Sequence, residues 1–208
     1  MQLRDALTDI SEIRAAIDRN QTYRGFRSAA IGLSAVFVVL GGFAQLHFDL
    51  QGDPSKYLDV WLCVALVSML VTAVEMIVRG RISNDMAVWK MHGKVAITLM
   101  PSFLVGALVT AAVALETQRP LALVKEYNLW LLPALWSLIY SLGLFAVCKR
   151  LHRMTSIAAM YYLAAGCVYL IFNWTSREVA AWHMVTIFGI GQLLLAVILY
   201  WKVERARG

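Results

Sequence analysis

Residues 57–78 read YLDVWLCVALVSMLVTAVEMIV, and from Val60 to Val74 no residue carries a charge. At 1.5 Å per residue such a run is long enough to cross the roughly 30 Å hydrocarbon core of a bilayer as an α-helix. The apolar residues do not alternate with polar ones over about ten positions, as a membrane barrel strand would require. Nor is there a charged face of the kind a soluble helix turns to water.

Five more runs of this kind flank it: residues 28–48, 95–115, 127–147, 155–173 and 181–201. The whole composition agrees. Sixty per cent of the 208 residues are apolar or aromatic and 15% are charged, where a soluble domain carries about 25% charged residues. Too little polar surface exists to cover a water-soluble globule of this size. An ordinary cytosolic enzyme, a disordered tail and a secreted disulfide scaffold are excluded. The expected fold is all-α: a bundle of six transmembrane helices, preceded by a short amphipathic helix.

Charge placement orients the bundle. With the N-terminus inside, the inner segments hold Arg4, Arg14, Arg19, Arg24, Arg27, Arg79, Arg81, Lys90, Lys94, Lys149, Arg150, Arg153, Lys202, Arg205 and Arg207. The outer loops hold only Lys56, Arg119, Lys125 and Arg177. The positive-inside rule then places both termini in the cytoplasm, in a multi-pass cell-membrane protein. These bases sit beside spans, where they meet anionic lipid headgroups. No basic-aromatic pattern argues for nucleic acid. Tyr57, Trp61, Tyr127, Trp130, Trp174 and Trp182 fall near the outer interface, and Trp89, Tyr200 and Trp201 near the inner one, as an aromatic belt would.

Three parts follow: residues 1–27, a transmembrane domain over 28–201, and a basic tail over 202–208. In the first, Leu3, Leu7, Ile10, Ile13 and Ile17 recur at helical spacing, which makes an amphipathic helix. Its mixed acids and bases suit packing on the bundle, on a second copy or on a partner protein, better than a lipid surface. Gly42-Phe43-Ala44 resembles a signal-peptidase site, but the long mixed-charge leader before span one argues for an uncleaved anchor. Residues 79–94 are expected to include a short interfacial helix with Trp89 as anchor, capped by Ser83 or Asn84.

Polar groups inside the hydrocarbon are costly and are therefore the functional candidates. Glu75 is the only acid well inside a span; it is either an inward-opening proton or cation site or a carboxylate paired with Arg79 four residues on. Gln192, beside Gly189 and Gly191, either bonds to another helix or touches substrate. Span four contributes Pro133, Trp136, Ser137, Tyr140 and Ser141. Trp136 and Tyr140 share a face by spacing, and rings near a buried acid suit an organic cation; the alternative is plain packing. Pro133 is expected to free the carbonyl of Leu129. Ser102, Gly106, Thr110 and Ala114 form a small-residue stripe, internal or at a dimer seam.

No cofactor or metal set emerges. His47, His92, His152 and His183 lie at or beyond span ends, and Cys63, Cys148 and Cys167 fit no disulfide or zinc spacing. Hydrolase, metalloprotease and P-loop motifs are missing, so an enzyme is not expected.

The segments Arg4-Asp5-Ala6-Leu7, Tyr23-Arg24-Gly25-Phe26-Arg27-Ser28 and Gly191-Gln192-Leu193 with Tyr200-Trp201 and Glu204-Arg205 resemble those of uncharacterised bacterial six-span membrane proteins. The resemblance implies a bacterial inner membrane and supplies no activity. Two functions remain open. One is a small oligomeric transporter or channel for an ion or small cationic solute, with Glu75, Gln192, Ser137, Trp136 and Tyr140 near its path. The other is a non-catalytic interaction or regulatory subunit acting through its N-terminal helix.

Overall fold

The computed structural model describes residues 28–50, 53–83, 86–117, 128–151, 153–201 and 205. Among them every regular element is helical. They are α1 (Ser28–His47), α2 (Pro54–Ser83), α3 (Met86–Thr117), a 3₁₀ turn (Asn128–Leu131), α4 (Leu132–Leu151) and α5 (Thr155–Asn173). The sixth span is composite: α6 (Ala181–Met184), a π-helical stretch (Val185–Gly189) and α7 (Ile190–Leu199). Six helical segments are long and apolar enough to cross a membrane. The amphipathic helix expected over residues 1–27 lies outside the described residues. Of the basic tail only Arg205 is described, its guanidinium 4.2 Å from the centre of the Trp201 ring.

The start of α2 follows from its sequence. The Asp53 carboxylate accepts from the Ser55 backbone N–H at 3.1 Å and the Ser55 hydroxyl at 2.7 Å, and Lys56 lies 3.4 Å away. Pro54 fills the first helical position, where its missing N–H costs nothing. The Ser55 hydrogen bond holds the Asp53 carboxyl below its usual range.

Two expectations are corrected here. No separate interfacial helix precedes span three: α3 begins at Met86 and runs without a break to Thr117. Trp89 still anchors the connection, but against protein. A Cβ on Gly80 would lie 2.7 Å from its ring, so the glycine lets α2 and α3 close on one another. Pro133 does not break span four. It occupies the second position of α4, directly after the 3₁₀ turn, where a proline disturbs no helical ladder. Pro101, by contrast, lies inside α3 and removes one hydrogen bond to the preceding turn.

Helices α2 and α3 have 30 and 32 residues. At 1.5 Å per residue each is roughly 45–48 Å long, so both overhang the hydrocarbon. They are also the outlying pair. Only 6% and 11% of their most apolar windows are buried, against 44% for α1, span four and span six. α1 packs between α2 and span six, α4 packs between α3 and α5, and α5 also meets α7. Lipid is as apolar as these side chains, so close packing holds the helices together rather than water exclusion. One core gathers Ile31, Ala134, Leu144, Ala158, Tyr162 and Leu195. A second, at the end expected to face outward, gathers Val38, Tyr57, Trp61, Leu129, Leu132 and Met184.

Ser102 and Thr110 of the small-residue stripe of span three face α4, whereas a Cβ on Gly106 would meet nothing within 4 Å. A Cβ on Gly143 of α4 would lie 2.8 Å from the Ser102 hydroxyl. Four residues on from Gly106, Thr110 accepts the Trp136 indole N–H at 2.9 Å.

Candidate functional site

The middle of the bundle holds an uncharged polar cluster built from α4, α5 and span six. Ser137 is completely buried and its hydroxyl donates to the Tyr162 carbonyl at 2.7 Å. Ser141, one turn on, donates to Leu138 of its own helix at 2.7 Å. The Gln192 amide donates to the Tyr140 hydroxyl across a long 3.5 Å. Between them stands Tyr162, also fully buried. Its ring meets Tyr140 edge-on at 4.9 Å and Phe188 at 5.7 Å, and its hydroxyl has no hydrogen-bonding partner. Gly191 is what admits that ring: a Cβ there would lie 2.3 Å from it.

The cluster adjoins the π-helical stretch, and the local chemistry accounts for that stretch. The Thr186 hydroxyl bonds back to the carbonyls of Trp182 and His183, both at 3.0 Å. Such back-bonding competes with the helical ladder and bends helices. From α5 the Tyr161 hydroxyl donates to the Thr186 carbonyl at 2.7 Å, occupying an acceptor the regular ladder would otherwise use. Single π-turns inside helices are found frequently at functional sites.

The sequence candidates separate as follows. Ser137, Tyr140 and Gln192 converge on Tyr162. Trp136 does not join them; its indole goes to Thr110 on α3, so the Trp136–Tyr140 pair spans two interfaces of α4 rather than lining one pocket. Glu75 is half-buried on α2. The hydrogen bonds of Ser137, Tyr140 and Gln192 run among α4, α5 and span six. The Arg79 side chain expected to pair with Glu75 lies outside the described structure.

A second polar cluster sits at the end expected to face outward, where α1, α2, α5 and span six meet. Gln45 is fully buried and its amide donates to the Tyr57 carbonyl at 3.0 Å. Tyr57 and Trp61, one turn apart on α2, are each 1% exposed. They were expected among interfacial anchors; both are turned into the bundle instead, with Trp61 passing over Gly41, where a Cβ would lie 3.6 Å from its ring. Tyr169 meets the His183 ring at 4.8 Å, and its hydroxyl accepts from Asn173 at 2.7 Å. Asn173 also donates to the Glu178 carbonyl at 2.9 Å and accepts from Ser176 at 2.7 Å, which ties down the turn into span six. Trp174 and Trp182 remain exposed at this level, where indoles belong.

Tyr162, Gln45, Tyr169 and Asn173 were not singled out from the sequence. The available signal was depth. Tyr161 and Tyr162 are the seventh and eighth residues of a 19-residue span, far from the interface that tyrosine prefers.

His47 is exposed and packs on Phe48 at 5.0 Å. Among the described residues no three His, Cys, Asp or Glu side chains gather to hold a metal ion. The three cysteines are free, with Cys63 and Cys167 on the surface of the bundle. An apolar groove between α1 and α2, lined by Leu40, Gly41, Ala44, Val60 and Val64, offers no polar group to select a ligand. No family model, characterised protein or solved structure matches this chain.

Proposed function

We propose that this chain carries a small, neutral, hydrogen-bonding solute across the membrane through the interior of the bundle formed by α1, α4, α5 and span six. The observation behind this reading is the Ser137–Tyr140–Tyr162–Gln192 cluster set against a π-helical stretch. Polar side chains in a bilayer interior are functional by default, and a π-turn supplies a place where a helix can rearrange. The four residues are uncharged. That chemistry favours a neutral solute over the cation suggested by Glu75 in the sequence. In this reading both termini are cytoplasmic and Glu75 belongs to the cytoplasmic interface.

The test is flux in reconstituted vesicles. Glycerol or urea entry, followed by light scattering, should exceed that of empty vesicles. Gln192→Leu should abolish the excess, whereas Leu193→Ala, at a neighbouring exposed position, should keep it. A monovalent-cation gradient should give no excess flux. Equal rates with and without protein, or undiminished flux in Gln192→Leu, would overturn the reading.

A further inference from the structure

Among the described residues, four polar atoms of the outward cluster are shut off from solvent and make no hydrogen bond of good geometry: Gln45 Oε1, Tyr57 Oη, Trp61 Nε1 and His183 Nδ1, the Tyr57 hydroxyl and the Trp61 indole facing one another too loosely to satisfy either. Buried polar groups are rarely left so, because each unsatisfied one is costly. A single orphan is tolerable strain. Four on neighbouring residues of one cluster call for a partner outside the chain. We propose that these groups form a binding site for a small neutral molecule that both donates and accepts hydrogen bonds.

Their chemistry fixes that class. The Gln45 amide nitrogen is already committed to the Tyr57 carbonyl, so its oxygen is left as a pure acceptor. The Trp61 indole is a pure donor. Tyr57 and His183 can each do either. An anion would meet the Gln45 oxygen and a cation the Trp61 N–H, so an ion of either sign is disfavoured. A molecule with donors and acceptors on one small frame satisfies all four. Water has this chemistry, and so does a primary amide. Buried waters typically make about three bonds to groups of this kind. The site stands apart from the central cluster: it can be filled in a protein that moves nothing.

The sign of one substitution tests it. In an empty site the Tyr57 hydroxyl is a liability, and Tyr57→Phe raises the melting temperature of the detergent-solubilised protein. In a filled site the hydroxyl holds the ligand, and Tyr57→Phe lowers it. The expected result is a fall of roughly 2–6 °C. A melting point at or above the native one overturns the proposal.

A second measurement needs no variant to fold well. In indole-¹⁵N-labelled protein, with the Trp61 signal assigned by its loss in Trp61→Phe, the indole proton should show contact with water or with added acetamide. An indole proton that sees neither overturns the site. Acetamide titration separates the two sources: stabilisation of native protein but not of Tyr57→Phe identifies an amide-like solute, and a Tyr57→Phe deficit without an acetamide effect identifies water. Vesicle flux reports on the central cluster alone, so the two proposals fail separately.

Discussion

Replacing Gly191 by alanine should loosen the bundle at its centre. The added Cβ would lie 2.3 Å from Tyr162 Cζ, 2.6 Å from its hydroxyl and 2.7 Å from Cε1. Ordinary carbon–carbon contact is about 3.5–4.0 Å, so the ring or span six has to give way by roughly 1.5 Å. Tyr162 has nowhere to go: it is wholly buried, with Tyr140 at 4.9 Å, Tyr161 at 5.7 Å and Phe188 at 5.7 Å around it. Overpacking of this kind costs about 1–3 kcal/mol. Gly189→Ala is the matched control, since its Cβ would make only ordinary contacts at 3.8–3.9 Å. Exchanging a helical glycine for alanine without a clash gains up to about 1 kcal/mol. The two variants should therefore differ by roughly 2 kcal/mol, or about 4–8 °C in melting temperature for a chain of this length. Thermal unfolding in detergent, followed by circular dichroism, measures the gap. In a Tyr162→Leu background the clash is gone and Gly191→Ala should cost nothing further. Equal stability of the two alanine variants, or no rescue by Tyr162→Leu, would refute the argument that Gly191 exists to seat that ring.

Three other outcomes are expected. Trp136→Phe and Thr110→Val each break the same α3–α4 hydrogen bond, so a double-mutant cycle should return a coupling of about 0.6 kcal/mol, the average for such bonds in membranes. Asn173→Leu removes the donor shared by the Tyr169 hydroxyl and the Glu178 carbonyl and should destabilise by about 1 kcal/mol, with faster proteolysis within residues 174–180 as the readout. Asp53 has a folded pKa below its ordinary 3.8, so its contribution is present above that pH and is lost as pH falls through the lower folded value. Asp53→Asn keeps an acceptor for Ser55 but loses the charge, so it should flatten the acid limb of a pH–stability curve by lowering stability slightly at pH 7 while leaving it unchanged at low pH.

The spans were legible because a bilayer demands them. Residues 155–173 were bounded correctly from hydropathy alone, and α1 differs by one residue at its end. The same demand hides the inside of the bundle. In water an amphipathic pattern tells which face is buried; in lipid both faces are apolar, so apart from the depth of its tyrosines nothing in span five set Tyr162 above Leu163. Gln45 stood four residues from the end of an apolar run and gave no sign that α2 would offer it a carbonyl. The π stretch depends on Tyr161 reaching across from another helix, a contact with no trace in the sequence of span six. Pro133 misled for a related reason: a proline reads as a break only if the helix has already begun, and here it begins one residue earlier.

The pairing of α1 with span six sets an order of events. α1 meets α2 as soon as the second span is made, which gives the Gln45 amide its carbonyl partner at once. Its other face waits for Val185, whose side chain nests over Gly42. About 130 residues separate the end of α1 from the start of span six, and synthesis at about 5–20 residues per second takes on the order of ten seconds to cover them. Closure of the bundle is therefore its last step, and it joins the first and last described spans. During that interval α1 presents an open flank holding Gly42, with only lipid against it.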